Sequence, residues 1–451
     1  MAVPPTPETL VRVGLLGCGT VGSALVELIA DHGDGIAART GLRLEVARVA
    51  VRDPDRPRAL PLARGLLTGD PRSVVTDPSI DCVVEVMGGI DPAWELILAA
   101  LEAKKPVVTA NKELVARHGP ALFRAANDSG VDLLFEAAVA GGIPLIRPLR
   151  ESLAGDRLRR VLGIVNGTTN YVLTRMTEDG QDFSTALAEA QRLGYAERDP
   201  SADVEGADAA AKAAILASVA FGTFVSVDDV YCEGITGITG DDVAMAARLG
   251  YVVKLLAIVE SLEGSAPPPA TAGAQDLQAP SVEVAVRVHP ALVPAEHPLA
   301  SVRDAFNAVF VEGDAVGDLM FYGRGAGGRP TASAVLGDLV DAAANRLQGR
   351  SPGLPAANAV TVRPVAELRN QYYLTLDVAD RPGVLHQVSG VMARHGVSIW
   401  KAEQVGLAED ARLVFVTHAA PEQAMRSTMA DLRDLEVVER VGSLLRVIGP
   451  E

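Results

Sequence analysis

Cysteine is scarce in this chain of 451 residues: Cys18, Cys82 and Cys232 stand far apart and are odd in number. No disulfide framework or zinc-ligand spacing can be built from them, which fits a reducing cytoplasm. Basic charge is short as well, with 41 Lys and Arg against 57 Asp and Glu and a net charge of −16. A binder of nucleic acid or of anionic membrane needs a basic surface, so both classes are excluded. Long hydrophobic runs are missing too. The longest, after Lys212, is interrupted by polar and glycine positions and falls short of a membrane span. The first residues, MAVPPTPETL, have neither a basic n-region nor an apolar h-region, so they are not a signal peptide.

Apolar residues make up 48% and charged ones 22%, which places the chain among globular proteins. Its length predicts about three domains. Residues 11–16 (VRVGLL) read as a buried strand, followed by Gly17-Cys18-Gly19-Thr20-Val21-Gly22 and a helical SALVELIADHG. A GxGxxG between a strand and a helix is the signature of a dinucleotide-binding turn. Gly17 permits the tight turn, Gly19 lets backbone approach a pyrophosphate, and Gly22 lets helix and strand pack closely. The helix N-terminus supplies free N–H groups to the phosphates. A second strand, residues 44–51, ends at Arg52-Asp53. An arginine there suits the 2′-phosphate of NADP, whereas Asp53 is able to accept from the ribose of NAD. The expectation is NADPH preferred, NAD possible. Strands at 82–86 and 106–109 flank a helix at 92–103. Their carboxyl ends carry Met87-Gly88-Gly89 and Thr109-Ala110-Asn111-Lys112, where open α/β sheets bind ligands. Lys112 is thus aimed at the cofactor crevice, or else is a surface lysine at a helix start. A further strand is expected over 133–146, with Glu136 beside a glycine turn at Gly141-Gly142.

The stretch GYAERDPSADVEGADAAAKAAI packs Glu197, Asp199, Asp203, Glu205 and Asp208 ahead of Lys212. Asp208 and Lys212 are four apart and share a helix face. The residues after them are apolar, so this helix reads as buried, and an inward lysine is costly unless it is paired and used. An ordinary surface ion pair is the plainer alternative. Around it, strands are expected at 158–165, 282–289 and 309–311, and helices at 185–193, 207–221 and 241–259, an α+β pattern. Asn166-Gly167-Thr168-Thr169-Asn170 is a polar turn suited to capping a helix. Residues 264–280 are a low-complexity loop. A helix at 331–347 returns the chain to the first domain. After the linker SPGLPAANA, residues 370–449 read βαββαβ, a ferredoxin-like order.

The segments GLLGCGTVG, TANKELV, FEAAVAGGIPLI, GIVNGTTNYVL and YAERDPSADVEGADAAAKAAIL together resemble the homoserine dehydrogenase family, in order from about 11 to 347. DRPGVL and GVSI resemble an ACT domain, a small module that binds amino acids at paired interfaces. The resemblance implies an α/β fold: a Rossmann domain over 1–146 completed by helix 331–347, and a substrate and dimerisation domain over 147–330. A linker follows over 348–369, and an ACT domain over 370–451. It implies reversible reduction of L-aspartate 4-semialdehyde to L-homoserine with NAD(P)H, feedback by threonine at the ACT domain, and a homodimer or homotetramer. It makes Lys212 the proton donor and Asp208 the carboxylate that orients it. Glu197 and Asp203 hold the substrate ammonium, and Lys112 lies near both substrate and nicotinamide. It puts Na+ on Glu136 and on the backbone of Val139, Gly141 and Ile143, and closes the loop at Gly325-Ala326-Gly327, with Gly327, on the cofactor.

That chemistry agrees with the residue types. Hydride attack on an aldehyde builds negative charge on its oxygen, which a nearby ammonium can stabilise and protonate. Burial is expected to lower the lysine pKa values towards neutrality, the two lysines depressing each other further. The other readings are a different amino-acid semialdehyde oxidoreductase, or a non-catalytic amino-acid sensor. A phosphorylating aldehyde dehydrogenase needs a thiol nucleophile, and Cys232 has no histidine near it in sequence.

Overall fold

A computed structural model describes residues 8–449, apart from 59, 61, 63–64, 263–281, 352–359 and 407–410. The expected low-complexity loop and most of the linker therefore lie outside the described residues. The first sheet is made of β1 (Thr9–Leu16), β2 (Leu42–Ala50), β3 (Leu67–Thr68), β4 (Cys82–Glu85), β5 (Val107–Thr109) and β6 (Leu133–Leu134). Their order is β3-β2-β1-β4-β5-β6, every neighbouring pair parallel. This is the doubly wound order, with its switch point between β1 and β4. Helices α1 (Thr20–Thr40), α2 (Pro71–Val75), α3 (Ala93–Glu102) and α4 (Lys112–Ser129) connect the strands. The strand expected over 133–146 is cut short. After Leu134 the chain enters a 3-10 turn at Glu136–Ala138, and Ala140 and Gly141 both take positive φ, which no strand tolerates.

The second sheet is larger and mixed. It joins β7 (Leu158–Ile164), β8 (Tyr231–Cys232), β9 (Tyr251–Ser261), β10 (Val282–Pro294), β11 (Phe306–Gly313), β12 (Gly317–Arg324) and β13 (Val360–Val362). It continues through β14 (Arg369–Val378), β15 (Ile399–Val405), β16 (Arg412–Thr417), β17 (Ala420–Pro421) and β18 (Val438–Val447). Helices α5 (Gly167–Asp179), α6 (Phe183–Leu193), α7 (Ser201–Val204), α8 (Ala207–Phe221) and α9 (Gly240–Arg248) belong to its first half. The helix expected over 241–259 is two elements. Helix α9 stops at Arg248, Gly250 turns the chain at φ 86°, and Tyr251–Ser261 is the strand β9.

Helix α10 (Gly328–Leu347) returns to the first sheet and packs against α1, sharing a core with β1. The C-terminal module adds α11 (Val384–Arg394) and α12 (Glu422–Arg433), and its strands order as β18-β14-β16-β15, all antiparallel. This module is not detached. Ala291 and Leu292 of β10 pair with Arg446 and Val447 of β18, so one sheet runs through both halves. One face of the module's sheet covers α11 and α12, while Tyr373, Val414, Val416 and Leu445 on the other join the core beneath α8.

Helix α8 is the element on which the site is built. Gly206 starts it at φ 90° and Gly222 ends it at φ 60°, the left-handed backbone that glycine alone adopts cheaply. Between them, alanine gives high helix propensity with almost no bulk. Ala209, Ala210, Ala213, Ala214 and Ala217 are buried, which lets α8 lie close on β9, β10 and α4.

Candidate active site

The glycine turn lies between β1 and α1. Gly17 has φ 99°, and a Cβ there would stand 2.9 Å from the Val86 carbonyl. A Cβ on Gly22 would overlap the Gly17 carbonyl, while Gly19 faces open space. Two glycines are thus demanded by packing, and the third leaves room for a ligand. A cavity of about 490 Å³ opens over the turn, lined by Gly17, Cys18, Gly19, Arg52, Met87 and Gly88. Thr20 and Val21 stand just outside it. Val21 packs partly buried on the core, and Thr20 meets the start of α10, where a Cβ on Gly328 would lie 3.0 Å from it. Gly327 caps that helix at φ 124°. Two helix N-termini therefore converge beside the turn, each carrying partial positive charge suited to phosphate.

Sequence reasoning missed Arg58 in this cavity and Glu85 behind it. Arg58 lines it with Arg52, its guanidinium held by the carbonyls of Asp53 and Arg56 at 3.0 and 2.9 Å. Asp53 is occupied otherwise, its carboxylate accepting the backbone N–H groups of Asp55 and Arg56. Glu85, fully buried at the end of β4, does not line the cavity but holds the Met87-Gly88 loop that does. It accepts the N–H groups of Met87 and Gly88 at 2.7 and 3.1 Å and the Thr109 hydroxyl at 2.6 Å. A carboxylate inside an apolar strand reads from sequence as one more strand position.

A second cavity, about 560 Å³, is lined from α4, the 197–208 segment and the chain near β8. Lys112, Glu197, Asp203 and Asp208 line it together, with Arg117, Asp199 and Cys232. Asn111 ties the two cavities. Its side-chain carbonyl caps α4 at Leu114 N–H, and its amide donates to Gly89 O at 2.6 Å, next to the Met87-Gly88 loop. The residue that follows it, Lys112, reaches the second cavity rather than lining the first.

Asp208 is the hub. Its Oδ2 lies 2.6 Å from Lys212 Nζ, and its Oδ1 2.9 Å from Lys112 Nζ. Lys212 also donates to Val165 O at 2.6 Å, and its side chain is 12% exposed. Two of its three donors are thus engaged inside the protein, leaving one. Asn166 caps α5 through Thr169 N–H and donates its amide to Asp203 at 2.7 Å and Asp208 at 2.9 Å. Thr168 donates to Tyr195 O and lies 3.0 Å from Asp203 Oδ2. The polar turn is therefore a cap and a support for two carboxylates at once. Glu197 stays exposed at the rim.

Burial pushes Asp208 up, but the charges of Lys212 and then Lys112 overwhelm it and hold the carboxyl well below its ordinary range. For Lys112, burial lowers the pKa and Asp208 raises it, the carboxylate winning. The expected depression of this lysine is therefore wrong in sign, because the two ammonium groups share one counter-charge instead of facing each other.

The Glu136 turn differs from the expected cation site. The Glu136 carboxylate accepts the N–H groups of Ile146 and Arg147 at 2.6 and 2.9 Å, and that of Leu145 besides. It is the anion of a helix start, with three of its acceptor sites engaged, so the carbonyl oxygens of Glu136, Val139, Gly141 and Ile143 are the better donors for a cation. Among the described residues, no group of three or more His, Cys, Asp or Glu is placed to hold a metal ion. The turn itself is braced. A Cβ on Gly141 would overlap Gly325 O, and Gly142 N–H donates to Arg324 O.

A doubly wound sheet with its glycine turn, and a lysine–carboxylate cluster on the adjoining cavity, define a nicotinamide-dependent oxidoreductase. Family models agree with that class: one described as homoserine dehydrogenase, NAD binding domain, matches residues 17–136. Others match homoserine dehydrogenase over 144–340 and ACT domain over 372–437. The homoserine dehydrogenase of Corynebacterium glutamicum is 48% identical over 442 residues, covering 98% of this chain and 96% of its own. A solved homoserine dehydrogenase from Thiobacillus denitrificans superposes with a TM-score of 0.89 at 41% identity, covering 98% and 99% of the two chains. A hyperthermophilic archaeal homoserine dehydrogenase in complex with NADPH matches at 0.61 and 28%, over 77% and 100%. The chain belongs to the homoserine dehydrogenase family.

Proposed function

We propose that this oxidoreductase interconverts L-aspartate 4-semialdehyde and L-homoserine, with NADPH as the preferred reductant and NAD as a weaker alternative. It would serve the cytoplasmic route to threonine, methionine and isoleucine. The observation that carries the reading is the clasp of Asp208 by two lysines: Asp208 and Lys112 line an acidic cavity, and Lys212 holds Asp208 from behind that wall. With its pyrophosphate held over Gly17–Gly22, a bound NADPH would supply hydride for the aldehyde carbon. Lys212, with one donor left, stabilises the developing alkoxide and passes a proton to it. Asp208 holds both ammonium groups in place. Asp203 and Glu197 take the substrate ammonium, for which the cavity is well suited. Its wall carries Glu113, Glu197, Asp199, Asp203 and Asp208 against Lys112 and Arg117.

The pairing of Arg52 with Arg58 and the occupied state of Asp53 support NADPH, since two guanidinium groups suit a 2′-phosphate. Threonine as effector is supported by the match to an ACT model, and a homodimer or homotetramer by exposed edges. Strand β15 is the last of its sheet, with Trp400 largely exposed, and β12 is the first, with Tyr322 exposed. A sodium ion on the carbonyls of the Glu136 turn would brace it against Gly325, and no step of the reaction passes through it. Loss of NADPH absorbance on adding aspartate semialdehyde tests the proposal. Absence of turnover with this substrate, alongside turnover of another semialdehyde, would replace it.

A further inference from the structure

Arg446 of the C-terminal module bonds to the two residues that flank Cys232 on the wall of the substrate cavity. Arg446, on β18 where that strand meets β10, is 4% exposed. Its Nε and Nη2 form a fork on Glu422 at 3.0 and 2.7 Å. Its Nη1 donates to Glu233 at 2.9 Å and Nη2 to the Tyr231 hydroxyl at 3.2 Å, with the guanidinium 5.2 Å from the Tyr231 ring centre. Tyr231 in turn donates to Glu233 at 3.0 Å. Glu422 is 2% exposed and also receives the Tyr372 hydroxyl. Buried charges are retained in this geometry only if every donor is met, and removing one partner strands the rest.

Tyr231 and Glu233 flank Cys232, which lines the substrate cavity. The short strand they define is packed on the turn between α7 and α8. Cys232 Sγ lies 3.4 Å from Glu205 O, Ile235 N–H donates to Val204 O at 2.8 Å, and a Cβ on Gly234 would overlap Val204 O. A Cβ on Gly206, the residue that starts α8, would stand 2.9 Å from Cys232 Sγ. Asp203 and Asp208 lie on either side of that turn. No slack separates Arg446 from the two carboxylates: the connection is guanidinium, Glu233 and Tyr231, a glycine-tight strand, then the turn.

We propose that Arg446 is a positioning residue for the substrate cavity, acting from the C-terminal module through Tyr231 and Glu233 on the α7–α8 turn. It touches no substrate. Its loss lets the 231–234 segment relax, so Asp203 and Asp208 lose their spacing while the glycine turn, built on the other sheet, keeps its own. The inference rests on assigning this cavity to the amino-acid substrate.

The test is steady-state kinetics of the full chain with Arg446→Gln, Glu233→Gln and Tyr231→Phe. The KM for aspartate semialdehyde should rise about fivefold or more in the first two, with the KM for NADPH within about twofold of wild type. Arg446→Lys, which keeps the charge, should recover part of the loss. The double variant Arg446→Gln/Glu233→Gln should be no worse than the worse single one, since both break one connection. An unchanged substrate KM, or both KM values moving together, would overturn the proposal. If Arg446→Gln does not fold, Glu233→Gln decides by the same readout. Asp203→Asn separates the two levels. If it raises the substrate KM while the Glu233 and Arg446 variants do not, this inference alone falls. If it does not, the cavity assignment fails and the inference falls with it.

Discussion

Lys112 and Lys212 come from different helices and hold the two oxygens of one carboxylate, at 2.9 Å and 2.6 Å from Asp208. Asp208→Asn removes the shared counter-charge while keeping the shape. We expect kcat/KM for aspartate semialdehyde to fall about a hundredfold or more, an effect on the scale of losing a positioned acid–base group. Steady-state assay beside a thermal melt checks it. A melt shift with activity within threefold of wild type would reduce the cluster to a structural ion pair.

The glycine turn separates packing from binding. Gly22→Ala forces a methyl onto the Gly17 carbonyl and should lower the melting temperature as well as NADPH affinity. Gly19→Ala meets nothing in the protein, so the melt without cofactor should stay close to wild type while NADPH affinity drops at least tenfold. Fluorescence titration of NADPH on both variants reads the difference. Equal NADPH affinity for Gly19→Ala and wild type would place the cofactor elsewhere.

Arg52 and Arg58 predict a selective loss. Charge-assisted hydrogen bonds to a phosphate contribute about 1.5–3 kcal/mol, so Arg58→Ala or Arg52→Ala should raise the KM for NADPH about tenfold or more and leave that for NADH nearly unchanged. A parallel rise for both cofactors would mean that the arginines serve the loop and not the 2′-phosphate.

How much of this was legible in the sequence depended on whether a signal was local. The glycine turn, the Asp208–Lys212 spacing and the ferredoxin-like order are all written within short windows, and they carry the fold and the centre of the candidate site. Tyr251–Ser261 was misread as helix because a strand buried on both faces shows a continuous apolar run with no alternation. Gly250 was the only mark of the break. The cap at Asn166 was readable, but its second task, donating to carboxylates 37 and 42 residues later, exists only after folding. Glu136 was misjudged for the same reason: its carboxylate is spent on N–H groups 9 to 11 residues on.

Asp338 contributes a pH dependence of stability. It lies on α10, buried, accepting Glu136 N–H at 2.8 Å and facing Arg147 at 3.2 Å. Burial outweighs these partners and raises its pKa from 3.8 to about 7. The folded state then binds the extra proton between those values, so its stability falls as pH rises through that window and levels off above it. Each unit of difference is worth about 1.4 kcal/mol. Thermal melts from pH 5 to 8 should show a falling melting temperature, and Asp338→Asn should flatten that slope. An identical slope in the variant would assign the effect to other groups.

The central claim is that the Lys212 ammonium, aimed by Asp208, protonates the oxygen to which hydride is delivered. The most direct measurement is kcat of Lys212→Met with saturating NADPH and aspartate semialdehyde, beside NADPH binding by fluorescence. The account predicts kcat lower by about 10²–10⁴-fold with NADPH affinity intact. Turnover within tenfold of wild type would contradict it.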